Sequence, residues 1–235
     1  MQQVIHFLRR LHANNDRPWF ANHKADYQAA QARFNSFAET LVQHIARFDP
    51  SVAGLTAKDI TYRIYRDTRF STDKTPYKTH MGAYICRGGK KSGYSGYYVQ
   101  VGVEAEAAHF GDIRWNTQNI LAVGDYCLPP KVLQIVREDI AGGGGDFDRI
   151  VKQEADPRFG LVTDGALKRN PKGFDKEAPW SEYLRLKMYC LACSLDETEI
   201  TAADAPERIA RLLQTAKPLL DYVNRAVDYV REGGT

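Results

Sequence analysis

The residues best equipped for chemistry lie in one run, Arg63-Ile-Tyr-Arg66-Asp67-Thr-Arg69-Phe70-Ser71-Thr-Asp73-Lys74-Thr-Pro76-Tyr77-Lys78. It sets five cations and two carboxylates among three aromatic rings, and its charge of +3 equals the formal net charge of the whole 235-residue chain. Arginine presents a planar fork of donors that matches phosphate or carboxylate oxygens, and lysine adds a point charge. The expectation is an anion cradle in which Arg63, Arg66, Arg69, Lys74 and Lys78 hold the oxygens. Tyr77 would serve as a hydroxyl donor or stacking ring, with Asp67 and Asp73 ordering the cations. The competing reading is a salt-bridge network that binds nothing. The uncompensated +3 favours a ligand site.

Other constellations are weaker. Cys190-Leu-Ala-Cys193 has half the ligands of a zinc site, and no matching pair follows, so reduced, buried thiols are expected. The six histidines include no i, i+4 pair. Only His80, beside the basic run, is placed to act as acid or base. A Ser71–His80–Asp67 triad lacks any nucleophile elbow. Magnesium on Asp67 and Asp73 competes with cations that compensate those carboxylates first. Gly88-Gly-Lys-Lys-Ser-Gly93 fails the phosphate-loop order and leads into a strand. Ser95-Gly-Tyr-Tyr-Val-Gln-Val101 lacks the basic start of an RNA-binding strand. No metal and no cofactor are expected.

These residues need elements to position them. Val4, Ile5, Leu8 and Leu11 mark a first helix that stops at Asn14-Asn15. Asp16 is expected to cap one long second helix, with Phe20, Tyr27, Ala30, Phe34, Phe37, Leu41, Ile45 and Phe48 on its inner face. Alternation over residues 59–66 predicts a strand, with Ile60, Tyr62 and Ile64 on one face and Thr61, Arg63 and Tyr65 on the other. Were it to run to Phe70, Arg66 would fall behind the other arginines and need a rim or a carboxylate. Residues 71–76 form a loop whose turn Asp73 suits.

Residues 82–87 and 96–103 predict an antiparallel hairpin, and residues 107–111 a fourth strand. A helix follows over residues 131–141, ended by the glycine run 142–145, which is the best candidate for an internal break. A short helix near residues 147–153, another over 180–187, and a buried strand or continuing helix over 188–195 come next. Asp204-Ala-Pro-Glu207 reads as a capping box for a last helix kinked at Pro218. The whole is an α+β chain, with a largely antiparallel central sheet packed by long N- and C-terminal helices, in a single domain over residues 1–235.

Bulk properties narrow the class. Apolar content of 43% and charged content of 26% are those of a globular protein. No apolar run is long enough to span a membrane, and the first residues lack the features of a signal peptide, so a cytoplasmic address is expected. A net +3 is low for a dedicated nucleic-acid domain. An anionic small molecule is therefore the first partner class, and an enzymatic role stays open. A nucleic-acid module and a structural adaptor remain the alternatives.

The run over residues 63–78 resembles the signature of the domain of unknown function 2461 family, uncharacterised proteins of bacteria and fungi. Further stretches are similar: Asn14-Asn15 with Trp19-Phe20, Lys24 and Tyr27; Gly96-Tyr97-Tyr98; and Gly124-Asp-Tyr-Cys-Leu-Pro129 leading to Arg137. So is Leu167-Lys168-Arg169 with Pro171-Lys172-Gly173-Phe174 and Pro179. The resemblance implies one conserved domain and supplies no reaction. It fits less well over residues 104–123, so His109 and Trp115 gain nothing from it. It adds Lys168, Arg169 and Lys172 as candidate second contributors to the cradle; the competing reading is an exposed basic loop.

Overall fold

The computed structural model describes residues 1–103, 119–125 and 127–234. Helix α1 (Gln2–Ala13) buries Val4, Ile5, Phe7, Leu8 and Leu11. The expected long second helix is broken at His23 into α2 (Arg17–Asn22) and α3 (Lys24–Ile45). Asp16 does cap α2, accepting from Trp19 N–H at 2.7 Å. The break has a local cause: the His23 ring stacks on Trp19 with centroids 4.1 Å apart, and its Nδ1 meets the Trp19 carbonyl at 2.8 Å. The Trp19 carbonyl keeps its bond from the His23 N–H at 3.1 Å and takes the ring nitrogen as well, a side chain inserted at the ladder where the axis turns.

Residues 59–66 are not a regular strand. A capping box between Thr56 and Asp59 winds the start of this stretch into the single turn α4 (Ala57–Ile60). Beyond it the chain is extended, with isolated antiparallel bridges Thr61–Ala83 and Tyr65–Tyr77. Strands β1 (His80–Ile85) and β2 (Gly96–Gly102) form the expected antiparallel hairpin, and β3 (Asn119–Asp125) pairs with β2. The expected strand at residues 107–111 lies outside the described residues.

Helix α5 (Pro130–Gly143) runs into the glycine tract, and α6 (Gly145–Arg149) restarts one residue later. The tract is therefore helical on both sides of Gly144. A Cβ at Gly144 would meet the Trp180 ring at 2.5 Å, so close approach explains that glycine. A π turn, Ile150–Glu154, follows. Strand β4 (Gly160–Leu161) precedes the single turn α7 (Ser181–Leu184), far shorter than the expected helix over 180–187. Residues 188–195 resolve as strand β5 (Tyr189–Leu195), then α8 (Glu197–Thr201), α9 (Ala205–Thr215) and α10 (Lys217–Arg231). The capping box lies at Asp196 and Glu199, and the Asp204 side chain makes no cap bond. The last helix divides at Ala216 because Pro218, without an N–H, sits in the first turn of a new helix more easily than inside an old one.

Among the described residues five strands order as β1-β2-β3-β5-β4, all antiparallel. One face carries Met81, Ala83 and Ile85, Val99 and Val101, Leu121 and Val123, and Leu191, which join the main apolar core. Helices from both ends of the chain pack there, α3 against β1, α1 against β2, and α9 and α10 against β3. The opposite face alternates His80, Gly82 and Tyr84 with Tyr98, Gln100, Ala122, Gly124, Cys190 and Ala192. The Cys190–Cys193 pair is split by this alternation. Cys193 joins the main core and Cys190 a small second cluster with Ala122, Val162 and Ala192. Both are free thiols whose pKa burial pushes up to about 12, so they are inert core residues.

Candidate functional site

The basic run is an excursion between α4 and β1. Its two ends pair as a short ladder, with Arg66 N–H donating to Pro76 O at 2.9 Å and Lys78 N–H to Ile64 O at 2.8 Å. In this pairing Tyr65 and Tyr77 lie opposite each other on one face. Ile64, Arg66 and Lys78 fall on the other by alternation. Thr61 and Tyr62 then join the outer edge of β1, where Tyr62 N–H donates to Gly82 O.

Aromatic packing seats the ladder. Phe20 stacks on Tyr77 with centroids 3.9 Å apart and planes at 13°, and it also meets Tyr65 and Tyr27. Asn15 closes a cyclic pair with the Tyr77 backbone, donating to Tyr77 O at 2.9 Å and accepting from Tyr77 N–H at 3.1 Å. Tyr77 is thus a buried stacking ring whose partner is the protein's own Phe20.

The two carboxylates are committed inside the loop. Asp73 pairs with Arg66 and also accepts from Thr75 N–H at 2.9 Å. Asp67 takes the Arg69 fork in bidentate fashion, at 2.9 Å from Nε and 2.6 Å from Nη2. Lys74 donates to the Thr68 carbonyl at 2.9 Å. Arg63 and Lys78 have no such partner among the described residues. The half-buried Lys78 amine lies 5.7 Å from the Tyr62 ring centroid. Burial, and then the charges of Arg63 and Arg66, push its pKa below the ordinary lysine value.

The Arg66 guanidinium, helped by Thr75, pushes the Asp73 pKa down to about 2. A depressed carboxylate stabilises the fold above its unfolded value of 3.8 and loses that contribution as pH falls toward about 2. The pair is more than a third exposed at Asp73, so the effect is local and at most about 1 kcal/mol. The Asp73 carboxyl carbon should titrate near pH 2 by NMR and return toward the ordinary range in Arg66→Ala. Titration at the ordinary value in the unaltered protein would show that the brace is not held.

The structure brings together Arg63, Arg66, Asp73 and Lys78, with Arg69, Asp67 and Lys74 further out on the same loop. It leaves Lys168, Arg169 and Lys172 elsewhere. Their loop follows β4, at the edge of the sheet opposite β1, and is tied to α7 and its flank through Leu167 N–H to Arg185 O and Asn170 to Ser181. Four strand spacings separate the two edge strands, roughly 19 Å. Among the described residues no hydrogen bond joins this loop to the motif. Asn15 and Phe20 were invisible as motif partners, since Asn15 reads locally as a helix stop and only the fold brings it to Tyr77.

Fold and site together define an α+β protein whose N-terminal helices clamp a cation-rich, internally braced loop at the edge of an antiparallel sheet. The chain belongs to the family described as Conserved hypothetical protein (DUF2461), whose model matches residues 3–222. No curated protein and no solved structure matches it. Among the described residues no helix is long and apolar enough to cross a membrane.

Proposed function

We propose that Lys78, with Arg66 on the same face of the loop and the charge of Arg63 close by, binds the phosphate or carboxylate group of a small molecule. The observation that carries this reading is the environment of Lys78. A half-buried ammonium whose nearest charges are two arginines is an unfavourable arrangement, relieved by an anion placed among the three. Asp73 compensates Arg66 alone. The same loop also braces the fold through its two ion pairs, so the motif both supports itself and presents cations. Three buried free thiols, Cys86, Cys190 and Cys193, support a reducing, cytoplasmic setting.

Inorganic phosphate, sulfate and citrate are the probes, and Lys78→Met is the variant. Without an anion the variant should be at least as stable as the unaltered protein, because it removes both repulsion and the cost of burying charge. An anion at about a hundred times its Kd adds about 2.7 kcal/mol of stability, a rise of roughly 5–10 °C in Tm at this chain length. That rise should appear in the unaltered protein and vanish in Lys78→Met. The pH dependence has a definite sign. The lowered pKa of Lys78 makes the folded state bind fewer protons than the unfolded state just below 10.5. Stability therefore rises with pH through that window, and the variant should lose the slope. Failure of all three anions to raise Tm overturns the reading.

A further inference from the structure

Three large hydrophobic side chains are exposed among the described residues, Tyr65, Phe70 and Tyr229, and two of them belong to the sixteen-residue motif. Phe70 is 95% exposed. That exposure is not the default of a slack loop, because this loop is braced. Arg66–Asp73 closes its base, the Asp67–Arg69 fork fixes the residue before Phe70, and Lys74 reaches back to the Thr68 carbonyl across the tip. The loop therefore holds the ring outward in a fixed place instead of letting it fold down onto apolar surface. The Arg69 guanidinium lies 5.9 Å from the Phe70 ring centroid, leaving the ring's other face open. Tyr65, 48% exposed, is backed on one side by Phe20 and Tyr77.

We propose that this tip is a docking surface for single-stranded nucleic acid, with bases stacking on Phe70 and Tyr65 and phosphates meeting Arg63 and Lys74. Braced aromatic platforms interleaved with cations are the arrangement that single strands use, because every base offers a π-face whatever the sequence. Charge complementarity selects an anionic partner, since Arg63 and Lys74 are exposed and neither makes an ion pair with a carboxylate among the described residues, Arg63 acting on Asp67 only at longer range. The flanking residues select a strand over a lipid surface. Thr68, Ser71 and Thr72 flank Phe70 in the chain, so no second apolar side chain stands beside it in sequence to enter a bilayer. A single ring offers only about 1.5–3 kcal/mol to a bilayer. This surface shares Arg63 with the anion site at Lys78 but not its test residues: Lys78→Met reads that site, and Phe70→Ala and Lys74→Ala read this one, so the two readings fail separately.

The test measures fluorescence anisotropy of a labelled oligothymidylate against the full chain across a salt series. Two phosphate contacts predict a log–log slope of about −1.4 for a single strand. Phe70→Ala should weaken binding roughly 5–100-fold at every salt concentration with the slope unchanged, whereas Lys74→Ala should flatten the slope by about 0.7. Both positions are exposed, and circular dichroism should show both variants folded. Vesicles of phosphatidylcholine and phosphatidylserine are the counter-probe. The proposal is overturned by absence of oligonucleotide binding at low salt, by binding indifferent to Phe70, or by Phe70-dependent vesicle binding without oligonucleotide binding.

Discussion

Phe20→Ala should cost about 3–5 kcal/mol of folding stability and release the basic loop from the helices that hold it. Phe20 is buried, stacked on Tyr77 and in contact with Phe7, Tyr27 and Tyr65. Truncation removes a whole ring from the centre of this cluster, and its neighbours are rings that cannot collapse into the space. The loss of several aromatic contacts, about 0.5–1.5 kcal/mol each, adds to the cavity. The functional consequence is separable. With Phe20 gone, Tyr77 loses its stacked partner and keeps the Asn15 amide, the Tyr65 ring and the ladder's own bonds, so the seat that sets Arg66 beside Lys78 loosens. Anion-induced stabilisation should therefore weaken further than the fall in stability explains. Phe20→Leu fills most of the volume without the stack and should cost less while still loosening the loop. Urea denaturation with and without phosphate reads both quantities. A loss under about 1 kcal/mol for the alanine variant would show that the stack does not seat the loop.

Gly124→Ala should be at least as damaging to the sheet, with a loss of roughly 3 kcal/mol or more. Gly124 has φ of +133°, a region closed to side chains, and a Cβ there would stand 2.1 Å from the Tyr189 carbonyl oxygen and 2.8 Å from Cys190 Cα. Both obstacles are backbone, so relief requires the central strands β3 and β5 to part. The position also accepts a hydrogen bond at 2.8 Å from the Tyr84 hydroxyl, which ties β1 to the far side of β2. Gly142→Ala is the matched control. It lies in α5 with nothing within 4 Å of the added methyl, and it should be neutral or stabilising by about 0.4–1 kcal/mol. Equal losses at the two positions in chemical denaturation would sink the argument from close approach.

Much of this architecture is written in local patterns. The spacing of Val4, Ile5, Leu8 and Leu11 sets α1, and alternation in 82–87 and 96–103 sets the β1–β2 hairpin. The errors share one origin. Alternation over 59–66 matches a strand, yet the Thr56–Asp59 box imposes a helical turn on its first residues before the pattern can act. Likewise the apolar stripe running from Ile209 to Val230 hides the division at Ala216, because packing on the same core preserves the period across the break. At the site, charge and residue type single out the loop in the sequence. Which cations remain uncompensated was not legible, since it depends on which carboxylate each arginine reaches once the loop turns. Asp73 lies seven residues beyond Arg66, and Asn15 reaches Tyr77 across sixty-two.

The strand order carries a consequence for synthesis on the ribosome. The N-terminal helices emerge first, so the scaffold for the basic loop is waiting when residues 63–78 appear, and β1 and β2 can close their hairpin at once. β3 has no such fortune. Its second neighbour is β5, and the ribosome needs roughly 4–14 s to travel from Asp125 to Leu195. Through that interval one side of Asn119–Asp125, an almost wholly apolar strand, offers unpaired backbone to any other nascent chain. Slowed elongation between β3 and β5 should lower the yield of folded protein more than the same delay placed after Leu195.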